Sequence, residues 1–126
     1  MDKEATKKIL IVEDQDELAA GLSSLLKSQG YLTAIANDGM SGTSQAHKGD
    51  KSLIILDLGL PAGGGFFVLE NLKKSTHTSD IPVIVLTAQQ GEELRNKVYK
   101  MGAQAFLNKP FNPEELLGCI DKFIKK

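Results

Sequence analysis

Leu53-Ile54-Ile55-Leu56-Asp57 passes through four aliphatic residues without a polar interruption and stops on a carboxylate. A strand with one wet face alternates apolar with polar residues, so an unbroken run suits a sheet covered on both faces, and hence a parallel one. Similar runs recur at residues 9–12, 32–36, 81–86 and 105–107. All five read as strands.

Segments of helical character separate them. Residues 15–29 place Leu18, Leu22, Leu25 and Leu26 on one stripe and stop at Gly30, the pattern of an amphipathic helix ended by glycine. Leu94, Val98 and Met101 share a face ahead of Gly102. The last helix opens with Asn112 as cap, Pro113 at the first helical position and Glu115 spaced to close a capping box. Phe66, Leu69 and Leu72 predict a helix over residues 66–74, preceded by Gly63, Gly64 and Gly65, which read as a flexible turn. Residues 38–47 contain Gly39, Gly42 and several Ser and Thr, so a helix there is inferred mainly because parallel strands need a crossover. The chain reads as an α/β protein, (βα)₅, with right-handed crossovers and ligands expected beyond the carboxyl ends of its strands.

Composition narrows the function. The 126 residues suit one domain, 41% apolar and 25% charged, ordinary for a globular protein and far from disorder. Fifteen basic against sixteen acidic residues give a net charge of -1, which argues against direct nucleic-acid binding. Cys119 is the single cysteine, and the polar start MDKEATKK carries no apolar signal segment. No apolar run approaches the ~20 residues of a membrane span. A cytoplasmic location is expected, with no membrane contact of the chain's own.

Polar residues at strand ends are where chemistry is sought in such a sheet. The first strand ends in Glu13 and Asp14, the third in Asp57, the fourth in Thr87, and the fifth leads into Lys109 and Pro110. If the first and third strands are neighbours, three carboxylates share one crevice, where mutual repulsion pushes at least one toward protonation unless a cation intervenes. Hard oxygen ligands with open positions favour Mg²⁺. Lys109 adds a second positive charge, Thr87 a hydroxyl, and Ala88 is too small to block approach. Together these are the parts that phosphoryl transfer needs.

The segments Ile9-Leu10-Ile11-Val12-Glu13-Asp14, Leu56-Asp57-Leu58-Gly59-Leu60-Pro61 with Gly65, Leu86-Thr87-Ala88 and Phe106-Leu107-Asn108-Lys109-Pro110-Phe111 resemble, in order and spacing, the receiver domains of two-component response regulators, of the chemotaxis-regulator-like kind. The resemblance covers essentially the whole chain, as one receiver domain over residues 1–126 with a core at about 7–125 and no output domain. The expected architecture is a doubly wound, flavodoxin-like five-stranded parallel sheet of order 2-1-3-4-5. The resemblance implies Asp57 as phosphoacceptor, with Glu13, Asp14, Asp57 and the Gly59 carbonyl at the Mg²⁺. It implies phosphoryl contacts from Thr87 and Lys109, and a switch in which Phe106 turns inward as Thr87 is drawn to the phosphate. It also raises the expectation of a cis Lys109–Pro110 bond above the ordinary ~5 to 6% for X-Pro. A sensor histidine kinase or histidine phosphotransfer protein is the implied donor. The implied receiver of the signal is an effector in trans or an output domain absent from this chain, through the fourth helix, fifth strand and fifth helix, where Tyr99, Lys100 and Lys122 are candidate contacts.

Two positions depart from the family's common pattern. Gly64 stands where many relatives carry an acidic residue, which predicts a more mobile loop. Gly59 leaves no side chain two positions beyond Asp57, so hydrolysis of the phosphorylated form is expected to depend mainly on Gln89.

Plainer readings exist for each residue. Asp14 could simply cap the first helix, with Glu17 in a capping box; Asp57 and Thr87 could be ordinary strand ends; Phe106 is core whatever else it does. Cys119 reads as a small hydrophobe, and His47 and His77 lack partners at metal-ligand spacing in sequence. Three rival functions stay in view. A nucleotide-binding module is disfavoured because Glu13 and Asp14 stand where a pyrophosphate would need glycine-rich backbone. A haloacid-dehalogenase-like enzyme would carry a second Asp at position 59. A degenerate receiver acting only as a binding surface would not need the intact set Glu13, Asp14, Asp57, Thr87 and Lys109.

Overall fold

The structure, a computed structural model, describes residues 6–124. The polar start at 1–5 and the domain limit at 125–126 lie outside the described residues. Five strands, β1 (Lys8–Val12), β2 (Leu32–Ala36), β3 (Leu53–Asp57), β4 (Val83–Thr87) and β5 (Ala105–Asn108), alternate with α1 (Asp16–Ser28), α2 (Gly39–Ala46), α3 (Gly64–Lys74), α4 (Glu92–Lys100) and α5 (Pro113–Phe123). Every strand pair is parallel, in the order β2-β1-β3-β4-β5. This is the (βα)₅, 2-1-3-4-5 sheet expected from the sequence.

The unbroken apolar runs are explained by burial on two sides. Leu10, Val12, Ile54, Leu56, Val83 and Val85 pack on one face with Val68, Leu69, Leu72 and Val98 of α3 and α4. Ile9, Ile11, Leu53, Ile55, Ile84 and Leu86 pack on the other with Leu22, Leu26, Leu116 and Ile120 of α1 and α5. Neighbouring residues of one strand thus serve opposite layers, each aliphatic side chain contributing about 1.5–3 kcal/mol. Among the strands, only β2, at one edge, leaves large apolar side chains exposed, Leu32 and Ile35.

Three local expectations change. The fourth strand begins at Val83 rather than at residue 81, because Pro82 has no N–H for the ladder and the Ile81 N–H is spent on the Thr78 carbonyl at 3.0 Å. The Gly63–Gly65 segment is not a flexible turn: Pro61–Gly63 forms a 3₁₀ turn and α3 already begins at Gly64. Gly65 is there for close approach, since a Cβ would lie 2.6 Å from both Leu58 Cα and the Leu58 carbonyl oxygen. Finally, Asn112 caps α5 by accepting from the Glu114 N–H at 2.8 Å, one position earlier than a capping box would place the bond. The weakest helix of the sequence, α2, is secured by Asp38, which accepts from the Ser41 N–H at 2.7 Å. Among the described residues, no helix is long and apolar enough to cross a membrane.

Candidate functional site

The site follows from strand register. Val12 pairs with Leu56, Asp57 with Leu86 and Thr87 with Asn108, so β1, β3, β4 and β5 end at nearly one level. The chain leaves β1 toward β2 on one side and resumes at β3 on the other, which opens a crevice at their carboxyl ends. Glu13, one residue past β1, therefore arrives beside Asp57.

Glu13, Asp14 and Asp57 each offer a carboxylate oxygen within 4.8 Å of the other two. Glu13 and Asp57 are buried, at 1% and 5% exposure, whereas Asp14 is exposed. Lys109 Nζ reaches into the crevice to 3.1 Å from Glu13 Oε1 and 3.4 Å from Asp57 Oδ1. The Lys109–Pro110 peptide is cis, as the resemblance implied. Burial pushes the Glu13 carboxyl above its ordinary range, against the lowering effects of the Gln15 N–H and Lys109, and the nearby Asp57 charge raises it further. The crevice is short of positive charge even with Lys109 in place.

Backbone groups frame the same carboxylates. Gly59 N–H donates to Asp57 Oδ1 at 2.9 Å, and a Cβ on Gly59 would lie 3.4 Å from that oxygen. Gln15 N–H donates to Glu13 Oε2 at 3.1 Å. The helix-cap reading of Asp14 does not hold, because the N-cap of α1 is Gln15. Thr87 is fully buried, and its Oγ1 accepts from the Gln89 N–H at 3.0 Å, which leaves the hydroxyl proton free to be donated. Phe106 is buried in the layer with Val83, Val85 and Val98, and the Arg95 guanidinium lies 6.0 Å from its ring centroid. An inward aromatic thus coexists with a Thr87 hydroxyl turned to its own loop.

With this geometry in hand, the comparison with known proteins is decisive: the model of the response regulator receiver domain matches residues 9–121. The chain belongs to that family. As a receiver domain it is a phosphorylation-dependent switch module of two-component signalling. It is 34% identical over 120 residues to the phosphate regulon transcriptional regulatory protein PhoB of Escherichia coli K12, covering 95% of this chain and 52% of that one. Chemotaxis protein CheY4 of Vibrio cholerae superposes with a TM-score of 0.88 at 29% identity, over 95% of this chain and 100% of that one. The receiver domain of sensor histidine kinase PA1611 of Pseudomonas aeruginosa, described with a magnesium ion coordinated in its active-site cleft, superposes with a TM-score of 0.86 at 26% identity, over 97% of this chain and 100% of that one. The chain spans about half the length of the curated relatives it matches.

Two asparagines of this receiver domain escaped the sequence reading. Asn37 Nδ2 donates to the Glu13 carbonyl at 3.0 Å and to Asp16 Oδ1 at 3.3 Å, fixing the end of β1. Asn108 Nδ2 donates to the carbonyls of Thr87 and Gln89. Both stand at strand ends, the one signal that could have drawn notice. His47 and His77, which share no sequence spacing, lie with ring centroids 6.3 Å apart, where His47 bonds the Thr43 carbonyl and Ser75 Oγ.

Proposed function

We propose that the receiver domain takes a phosphoryl group from a partner's phosphohistidine onto Asp57, with Mg²⁺ held by Glu13, Asp14, Asp57 and the Gly59 carbonyl. The observation that carries this reading is the position of Lys109 Nζ between Glu13 and Asp57, inside a trio of carboxylates. The donor set suits a hard divalent cation: oxygens only, two of the three acids buried, and Glu13 held above its ordinary pKa by that burial. Bound there, Mg²⁺ would neutralise charge shared between the carboxylates and the phosphoryl oxygens.

The chain's own residues supply the rest. An Asp57 carboxylate oxygen forms a bond to phosphorus while the phosphorus–nitrogen bond of the donor imidazole breaks, its electron pair leaving with the ring. The Lys109 ammonium and the Thr87 hydroxyl donate to phosphoryl oxygens, and the buried site strengthens both interactions. An open pocket lined by Asp16, Leu18, Ala88, Lys109, Pro110 and Phe111 gives the donor a way in. The domain acts on itself, so it is its own substrate rather than a turnover enzyme, and it works in the cytoplasm.

Output passes through α4, β5 and α5. Tyr99, Lys100 and Lys122 are exposed along that surface. Thr87 and Phe106 link it to Asp57 as a shift between two arrangements, read by an effector protein or by an output domain beyond this chain. Calorimetric titration of the receiver domain with Mg²⁺ tests the site. Saturable one-site binding that is lost on Asp14→Asn and Asp57→Asn together is expected, and wild-type protein without Mg²⁺ affinity would refute the ligand set.

A further inference from the structure

We propose that Asn108 is a positioning residue for phosphoryl transfer, its side-chain amide clamping the loop after β4 and so setting how readily the Thr87 hydroxyl turns to a phosphoryl oxygen. The inference rests on the roles given above to Asp57 and Thr87. Asn108 closes β5 as the register partner of Thr87. Its Nδ2 donates to the Thr87 carbonyl at 3.2 Å and to the Gln89 carbonyl at 2.7 Å. Both protons of that amide are used, and both bonds land on the segment that must move.

Neighbouring bonds hold the same segment. Lys109 N–H donates to the same Thr87 carbonyl at 2.9 Å, so the strand end is held twice. The Gln89 carbonyl is held by Asn108, while the Gln89 N–H is bound to Thr87 Oγ1. Past Gln89 the tether ends: Gly91, the N-cap of α4, has φ 127° and no side-chain cap. Among the described residues, Asn108 is the only side chain outside residues 87–91 that bonds their backbone. Its own backbone belongs to the sheet through the Thr87–Asn108 pairing, so it ties a segment that can move to one that cannot.

For the Thr87 hydroxyl to reach a phosphoryl group on Asp57, the short turn it makes with the Gln89 N–H must open. That movement pulls the Gln89 carbonyl away from Asn108. The clamp therefore opposes the activated arrangement by the net worth of a neutral hydrogen bond, a factor of about 2 to 10 in the equilibrium.

The test compares wild-type protein with Asn108→Ala and with Asn108→Leu, which keeps the bulk but has no donor. Beryllofluoride with Mg²⁺ serves as the phosphoryl mimic, and amide hydrogen exchange of Gln89, Gln90 and Gly91 is followed by NMR. Both variants are expected to exchange these amides several-fold faster and to bind beryllofluoride about 2- to 10-fold more tightly, with unchanged affinity for Mg²⁺ alone. A role in filling space would instead leave Asn108→Leu like wild type, and that result, or unchanged or weaker beryllofluoride binding, overturns the clamp. Wild-type protein that takes up no beryllofluoride would refute the assignment of Asp57; the exchange rates then decide the clamp alone, unchanged rates overturning it.

Discussion

Lys109 Nζ lies 3.1 Å from Glu13 Oε1, a bond that joins residues 96 positions apart, from the segment after β5 to the end of β1. The pair is largely buried, with 18% of the Lys109 side chain and 2% of the Glu13 side chain exposed. An ammonium held between two carboxylates compensates charge that burial would otherwise make costly.

Lys109→Met should therefore destabilise the metal-free domain by about 1–3 kcal/mol, the cost of leaving buried polar groups without their partner. Added Mg²⁺ should stabilise the variant more than wild type, since a cation then supplies what Lys109 did. Urea unfolding with chelator and with Mg²⁺ measures both; a variant as stable as wild type in chelator would contradict the argument.

Packing at the end of β3 gives a sharper contrast between two glycines. Gly65→Ala places a Cβ 2.6 Å from Leu58 backbone atoms and should cost about 1–3 kcal/mol through forced shifts. Gly118→Ala, on α5 with nothing within 4 Å of the new carbon, should stabilise by up to about 1 kcal/mol. Equal unfolding midpoints for the two variants would be incompatible with the close approach of α3 to β3.

Much of this was legible beforehand, for physical reasons that can be named. Uninterrupted aliphatic runs encode burial on two faces, so residues 53–56 and 81–86 announced their strands, the second two residues too early, and the polar residue after each run marked the crevice. What sequence could not show depends on distance in the chain. Gly63, Gly64 and Gly65 read as a flexible turn by propensity, yet α3 begins at Gly64, and Gly65 lies so close to Leu58 that a Cβ would not fit. Asn108 carried no signal of its own in the sequence, because the carbonyls it bonds, on Thr87 and Gln89, lie 21 and 19 positions away. His47 and His77 come together only in the folded chain, where the end of α2 meets the turn between α3 and β4.

At the opposite end of β1, Lys51 and then Lys8 hold the Asp50 carboxyl down from 3.8 to about 2. A carboxylate whose pKa is lowered by folding contributes stability that is complete above about pH 4 and lost as the pH falls toward 2. Asp50→Asn should flatten that part of the stability profile, and because Asp50 is exposed, added salt should flatten it in wild type as well. Urea midpoints between pH 4 and pH 2 at low and high salt check this; identical slopes for wild type and variant would contradict it.

Decay of the phosphorylated form is expected to depend mainly on Gln89, because Gly59 has no side chain to place or exclude a water beside Asp57. Gln89→Ala should slow hydrolysis several-fold while leaving uptake from a small donor intact. The measurement is loss of phosphoryl from isolated protein over time, and an unchanged rate would assign the water to some other group.

Asp57, set among Glu13, Asp14 and Lys109, is the proposed acceptor of the phosphoryl group. Intact-mass measurement after incubation with acetyl phosphate and Mg²⁺ tests it most directly. One phosphoryl group should appear on wild-type protein and disappear with chelator or on Asp57→Asn, whereas full incorporation in Asp57→Asn would place the chemistry elsewhere.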